Sequence, residues 1–142
     1  MKILSLNKQV VLENVNRLME IDKVIEGEEN WGLDNFLMDV DKKWEYSFMA
    51  TDEDDILGFI ICSIKNGSLY VHRLAVASEH QAKRVGTILL NYVCELASKR
   101  NLKSVMLQVK KSNTGAIKFY ERNGFKKVGV NGSNYVYKRV IK

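Results

Sequence analysis

Apolar positions along the 142 residues follow two periods, and the change of period within residues 69–96 organises the whole chain. Leu69, Val71, Leu74 and Val76 are strand-like, and Ser78-Glu79-His80-Gln81 is a polar turn. Val85, Ile88, Leu89, Tyr92, Val93 and Leu96 then recur as one apolar stripe of a helix. Upstream, residues 1–6 read as a short strand. Asn7 can cap a helix carrying Val11, Val15 and Leu18 and ending near Asp22. Residues 25–30 form an acidic connection, and Asn30 could cap a shorter helix with Leu33, Leu37 and Val40. Tyr46, Phe48 and Ala50 alternate as in a half-exposed strand over residues 45–51. A charged turn follows, and then residues 56–64 are almost continuously apolar, as in a central strand covered on both faces. Asn66-Gly67 is a two-residue hairpin signal that returns the chain into residues 69–76.

Downstream, the long helix stops near Arg100-Asn101, where Asn suits a left-handed cap. Residues 104–109 read as a strand. Ser112 or Asn113 caps a helix carrying Ala116, Phe119 and Tyr120, and Asn123-Gly124 ends it. Residues 125–130 and 135–140 make a closing hairpin across Asn131-Gly132. The predicted order is β-α-α-β-β-β-α-β-α-β-β, and no Pro, repeat or low-complexity linker interrupts it. The expectation is one α+β domain over residues 1–142, long enough to bury a core.

Composition narrows the setting. No apolar run approaches the ~20 residues that cross a bilayer, and the first residues lack the plan of a signal peptide. Cys62 and Cys94 fall inside strand-like and helix-like runs and form no cluster with His72 or His80. Two buried free thiols in a cytoplasmic protein, with no metal, is the expectation. The net charge of +5 hides an asymmetry: residues 1–80 hold 8 Lys and Arg against 15 Asp and Glu, whereas residues 81–142 hold 14 against 2. The basic residues Lys83, Arg84, Lys110, Lys111, Lys118 and Arg122 suit a multiply phosphorylated ligand. Ordinary solvated faces account equally well for Lys126, Lys127 and Lys142. The acidic half suits a cationic acceptor such as an amine.

A strand that feeds a loop and then a helix start aims unpaired N–H groups and a positive dipole end at one point, which favours phosphate. Small Gly86 and Thr87 at that helix start would allow close approach to the backbone. The wording there, Leu74-Ala75-Val76 and then Gln81-Ala82-Lys83-Arg84-Val85-Gly86, resembles the acyl-CoA pyrophosphate loop of the GNAT superfamily of N-acetyltransferases. Arg84 stands where that loop usually has its first Gly. A second stretch, Ser112-Asn113-Thr114-Gly115-Ala116-Ile117-Lys118-Phe119-Tyr120-Glu121-Arg122-Asn123-Gly124-Phe125, resembles the family's N, two residues, A, two residues, F-Y, two residues, G-F pattern at every position. The element order is similar from end to end, and residues 7–45 are the least determined. The resemblance implies a mixed central sheet of about seven strands flanked by about four helices.

It also implies roles. Backbone groups of Leu74, Ala75 and Val76 would pair with the pantetheine arm of acetyl-CoA, and one N–H would hold the oxyanion. Backbone N–H groups of Gln81, Ala82, Lys83, Arg84, Val85, Gly86 and Thr87 would cradle the pyrophosphate. Asn113 would hydrogen-bond the cofactor arm, with Ala116 and Phe119 beside it, and Tyr120 would protonate the departing thiolate. Each role has a plainer counterpart. Tyr120 can be a packed aromatic, and Trp31 either a core residue or a wall of the acceptor site. Arg84 can point outward over an intact cradle, clamp a phosphate, or crowd the loop. Relatives acting on protein N-termini often carry Glu where Gln108 stands, and an amide cannot accept the ammonium proton. His72 has the pKa range of a base, or else makes a structural hydrogen bond.

The leading expectation is an enzyme that moves an acetyl group to a small-molecule or protein primary amine by direct attack in a ternary complex. A catalytically weak acyl-CoA-binding regulatory domain is the alternative that Gln108 and Arg84 keep open. Nucleic-acid binding through the basic half ranks last, because neither a basic recognition helix nor a stacking motif is present. No membrane partner is expected, and the sequence leaves open a homodimer.

Overall fold

The computed structural model describes residues 1–25 and 27–141, with Ala82 and Lys83 described for their backbone only. In chain order the elements are β1 (Lys2–Ser5), α1 (Lys8–Asp22), α2 (Leu33–Leu37), β2 (Phe48–Asp52), β3 (Asp55–Lys65), β4 (Ser68–Val76), α3 (Val85–Lys99), β5 (Ser104–Lys110), α4 (Thr114–Arg122), β6 (Lys126–Asn131) and β7 (Asn134–Val140). The strands form one sheet ordered β1-β2-β3-β4-β5-β7-β6. Every neighbouring pair is antiparallel except β4 and β5, which run parallel. The expected element order and the mixed seven-stranded sheet with four α-helices are both present.

Local chemistry explains the joints. The Asn7 side chain accepts from the Val10 N–H at 2.8 Å and starts α1. Asn66 and Gly67 both take positive φ, 54° and 79°, as a primed hairpin turn requires. β3 is buried from Ile56 to Ser63, so the central strand is covered on both faces as its apolar run predicts. Asn101 at φ 59° closes the exit of α3. One core lies between the sheet and α3 with α4, around Leu57, Ile60, Leu89, Leu90, Val93 and Leu107. The other lies between the sheet and α1 with α2, around Leu18, Ile21, Phe36, Phe59 and Ile61.

Several expectations are corrected by this packing. α2 starts from Gly32, whose N–H donates to Asn35 Oδ1 at 2.9 Å; Asn30 is not its cap. Its buried residue is Phe36, while Leu33 and Val40 are exposed, because the helix is a single turn that can present only one large side chain inward. Phe36 meets Trp31 and Phe59 edge-on, with ring centroids 5.2 and 5.4 Å apart. β2 is not half-exposed: Ser47 and Met49 are buried as well as Tyr46, Phe48 and Ala50, since helices cover both of its faces. The buried face of α3 is Val85, Leu89, Leu90, Val93, Cys94 and Ala97: it keeps Val85, Leu89 and Val93 of the predicted stripe but is rotated enough to leave Ile88 and Tyr92 exposed. Tyr92 still covers Phe48, edge-on at 4.8 Å. The closing hairpin turns at Gly132-Ser133, because Asn131 pairs with Asn134.

Lys43 is buried and its ammonium closes the end of α2, donating to the carbonyls of Phe36 at 2.6 Å and Met38 at 2.7 Å. Helix-end carbonyls left without donors are costly when buried. Lys43→Met should therefore lower unfolding free energy by about 2 kcal/mol, read from urea denaturation, with far-UV circular dichroism of the folded state unchanged.

Candidate active site

β4 and β5 pair only through Leu69↔Val105, Tyr70↔Met106 and Val71↔Leu107. Both strands continue beyond that point, β4 to Val76 and β5 to Lys110, and there they separate. Opposite the separation the β3–β4 register slips: Ile61 faces Arg73 whereas Cys62 faces Val71. The extra residue is His72. In a regular strand Val71 and Arg73 would share a face. With the bulge, Val71 packs in the α3 core while Arg73 reaches α1 on the opposite side.

The gap is a cleft of about 700 Å³, a size suited to a small organic ligand. Leu74, Ala75 and Val76 from β4 and Leu107, Gln108 and Val109 from β5 form two of its walls. Beyond the pairing with β5, the outer edge of β4 faces the cleft and can pair with an extended ligand as an added strand would. The start of α3 meets the same cleft through Arg84, Gly86 and Thr87. The first α3 hydrogen bond runs from Ile88 N–H to Arg84 O, and no side chain caps the helix, so the N–H groups of the first turn point outward as an anion site.

The loop before α3 is a 3-10 turn, Ser78–Lys83, followed by Arg84 at φ 62°, ψ 22°. Left-handed backbone is the reason Gly is the easier residue there. Arg84 is exposed, and Gln81 folds back so that its amide donates to Val76 O at 3.2 Å. A Cβ on Gly86 would lie 3.2 Å from Phe119 Cζ. The small residue thus seats α3 against α4.

α4 supplies the far wall. Asn113 Oδ1 accepts from Ala116 N–H at 3.1 Å, which settles the cap in favour of Asn113 and leaves its amide NH2 as a donor beside the cleft. Tyr120 lies half-buried in that wall between Phe119 and Phe125, with centroids at 5.2 and 5.7 Å, and burial pushes its phenol pKa well up. It therefore keeps its proton through the neutral and mildly alkaline range.

His72, Arg73, Gln108, Val24, Ile25 and Glu28 surround the opposite end. His72 Nε2 lies 2.6 Å from Ser63 Oγ, and its ring leans on Tyr70 at 4.9 Å. Desolvation in the cleft wall, with Lys43 and Lys65 nearby, lowers the pKa of this exposed side chain from the ordinary 6.5, which favours the neutral form. Gln108 is fixed through its Oε1, which accepts from the side-chain amides of Asn131 and Asn134 at 3.2 Å each. Arg73 is spent on Asp22, donating from Nε at 2.9 Å and Nη2 at 3.0 Å, and on Glu29 O at 2.8 Å.

Of the residues singled out in the sequence, the cleft brings together His72, Leu74, Ala75, Val76, Gln81, Arg84, Gly86, Thr87, Asn113, Ala116, Phe119 and Tyr120. Val85 is a core residue whose side chain is turned away. The side chains of Ala82 and Lys83 lie outside the described residues. Trp31 does not line the cleft; its ring covers the Arg73 guanidinium at 5.1 Å. Arg122 and Arg84 line the cleft, whereas Lys110 turns to Ser133 and Lys111 to the ring of Tyr135, correcting the expected basic cluster. Sequence reasoning did not single out Glu28 or Arg73. Arg73, a lone charge in an apolar strand, was the available signal.

Elsewhere, Asp55, Glu79 and His80 place ligand atoms within 4.8 Å of one another. Arg17 Nη2 already supplies positive charge there, 2.9 Å from Glu79 and 3.2 Å from Asp55. Cys62 and Cys94 are free and buried. Among the described residues no helix is long and apolar enough to cross a membrane.

Comparison with known proteins places this geometry. Residues 13–125 match the acetyltransferase (GNAT) family model. The chain belongs to the GNAT family. It is 31% identical over 112 residues to the probable N-acetyltransferase san of Drosophila melanogaster, covering 75% of this chain but only 60% of that relative. It is 27% identical over 126 residues to the [ribosomal protein bS18]-alanine N-acetyltransferase of Haemophilus ducreyi, covering 89% of this chain and 86% of that one. In fold it is similar to the paia N-acetyltransferase of Thermoplasma acidophilum in complex with coenzyme A, with TM-score 0.80, 20% identity, and 98% of each chain covered.

Arg84 adopts φ 62°, a backbone that Gly takes at less cost. Removing the side chain relieves about 1–2 kcal/mol of left-handed strain, offset by the greater freedom of Gly in the unfolded chain, about 0.4–1 kcal/mol. Arg84→Gly should accordingly raise stability slightly in chemical denaturation, the opposite of the effect of Gly in a helix interior.

Proposed function

We propose that this chain is an acetyl-CoA-dependent N-acetyltransferase that acts on a primary amine by direct attack in a ternary complex. The observation that carries the reading is the splayed β4–β5 edge opening beside the bare N-terminus of α3. An extended thioester arm and a pyrophosphate need those two surfaces side by side. The family match and the N-acetyltransferase relatives support the same chemistry, and nothing in them favours a purely regulatory role. Acetyl-CoA, when bound, supplies an activated acetyl group.

The protein residues divide the remaining work. N–H groups at the start of α3, with the charges of Arg84 and Arg122, hold the phosphates. Leu74, Ala75 and Val76 align the arm through their backbone, and an N–H in that segment stabilises negative charge on the carbonyl oxygen. Tyr120 retains its proton and donates it to the leaving sulfur. His72, its neutral form favoured, takes the proton that the acceptor ammonium must lose before its nitrogen can attack. Gln108 is held by Asn131 and Asn134 and shapes the wall where relatives place an acid.

For the acceptor, the α-amine of a protein is favoured over a small molecule, since the relative whose length the chain matches is named for an alanine of a ribosomal protein. A cytoplasmic setting is supported by the two free thiols.

The direct test is thermal unfolding with acetyl-CoA, CoA and ATP, followed by thiol release with a panel of N-terminal peptides and small amines. Both CoA species should stabilise the fold, by about 2.7 kcal/mol at a hundredfold excess over Kd, and ATP should not. The absence of any shift at millimolar acetyl-CoA would remove the reading. Within it, Tyr120→Phe should lower kcat by about a hundredfold while KM for acetyl-CoA stays nearly constant. In the native protein kcat/KM should rise with pH through a midpoint below 6.5, as His72 loses its proton. His72→Gln should flatten that acid limb.

A further inference from the structure

Outside the cleft, α1 is tied to the loop before α3 by one side chain. Arg17 donates from Nε and Nη2 to the Ile56 carbonyl, at 3.2 and 3.0 Å, at the start of β3. The same Nη2 meets Glu79 Oε1 at 2.9 Å, in the 3-10 turn, and Asp55 Oδ1 at 3.2 Å. Nη1 pairs with Glu20, one turn further along α1. Asp55 also meets His80 Nε2 at 3.3 Å, and Ala77 N–H donates to Leu57 O at 2.8 Å. Arg17, Asp55, Glu79 and His80 are all absent from the cleft wall.

The turn they hold has few other anchors of its own. Its backbone bond from His80 N–H reaches Ala77 O, and Gln81 ties it to Val76 O. It then enters α3 through the left-handed Arg84. A turn that hands over to a residue in a costly conformation needs outside contacts to stay in place. One of those contacts, from Glu79, ends on the Arg17 guanidinium, which also grips Ile56 O and Asp55 at the start of β3. The guanidinium is only 24% exposed and keeps its charge, Glu79 and Glu20 raising its pKa against the effect of burial.

We infer that Arg17 is a positioning residue for the pyrophosphate end of the site: by gripping Ile56 O, Asp55 and Glu79 from outside, it sets the 78–83 turn so that the first N–H groups of α3 converge on phosphate. The inference rests on the acetyl-CoA reading given above. It predicts an effect confined to the part of the donor that carries phosphate. Arg17→Gln removes the fork and the charge. Glu79→Gln, at a half-exposed position, removes the charged link between α1 and the turn while leaving the Ile56 contacts.

The experiment compares acetyl-CoA with S-acetylpantetheine, which carries the same thioester arm without pyrophosphate. Both variants should raise KM for acetyl-CoA, by about tenfold for Arg17→Gln and less for Glu79→Gln, with kcat nearly unchanged. Their kcat/KM for S-acetylpantetheine should match the native protein. Arg17→Lys, which keeps the charge but not the fork, should recover part of the loss. Equal losses with both donors would reduce Arg17 to a general stabiliser, and unchanged KM would overturn the inference. If Arg17→Gln fails to fold, Glu79→Gln decides by the same ratio. A native chain that releases no thiol from acetyl-CoA overturns the acetyl-transfer reading itself, a result distinct from native turnover with unselective variants.

Discussion

The buried pair of Arg73 and Asp22 is the constraint on which the arrangement of the cleft depends. Two charges removed from water cost more than their attraction returns unless every remaining donor and acceptor is met. Here they are met. Asp22 ends α1 and accepts two guanidinium N–H groups as well as the Trp31 backbone N–H at 2.7 Å. Arg73 adds the Glu29 carbonyl, and the Trp31 ring covers its face. A strand from the middle of the sheet, the end of α1 and the connection to α2 are thereby fixed by one polar knot, with no room for a single partner to be lost without stranding the other.

That knot explains why β4 bulges where it does. Arg73 can reach α1 only because His72 is the extra residue that turns the strand over. The same local irregularity lies next to the last β4–β5 pair, Val71↔Leu107, after which the strands part. Gly58 meets the far end of β4, where a Cβ would fall 2.7 Å from the Ala75 carbonyl oxygen, so β3 presses closely on the segment that borders the cleft. β4 is therefore held firmly by β3 on one side and leaves its other edge to a ligand. Rigidity and an open edge in one strand are what a donor-binding site asks of a sheet.

Much of this was legible in the sequence because it is governed by local chemistry. Asn7, Asn66-Gly67 and Asn101 act through a cap or a positive φ within a few residues, and β3 shows its burial in an unbroken apolar run. The elements at which the cleft opens, β4 and the start of α3, were also placed. What was not legible depends on distance along the chain. The partner of Arg73 lies 51 residues away, and a bulge leaves no trace in a period-two pattern that is already irregular at Leu74. α2 is one turn, too short for a periodic stripe, so Leu33 and Val40 looked as eligible as Phe36. Along α3 nearly every residue is apolar or small, and the choice between Ile88 and Leu90 is made by the sheet beneath it.

The two cysteines carry a practical consequence. Burial raises the pKa of both Cys62 and Cys94 and leaves neither thiolate within easy reach of solvent. The folded protein should present almost no background to a disulfide reagent used to count sulfhydryl groups. Such a reagent would report product in real time, and it would stain the protein itself only as the fold is lost. One colour reaction can thus follow either chemistry or unfolding, according to which is set in motion.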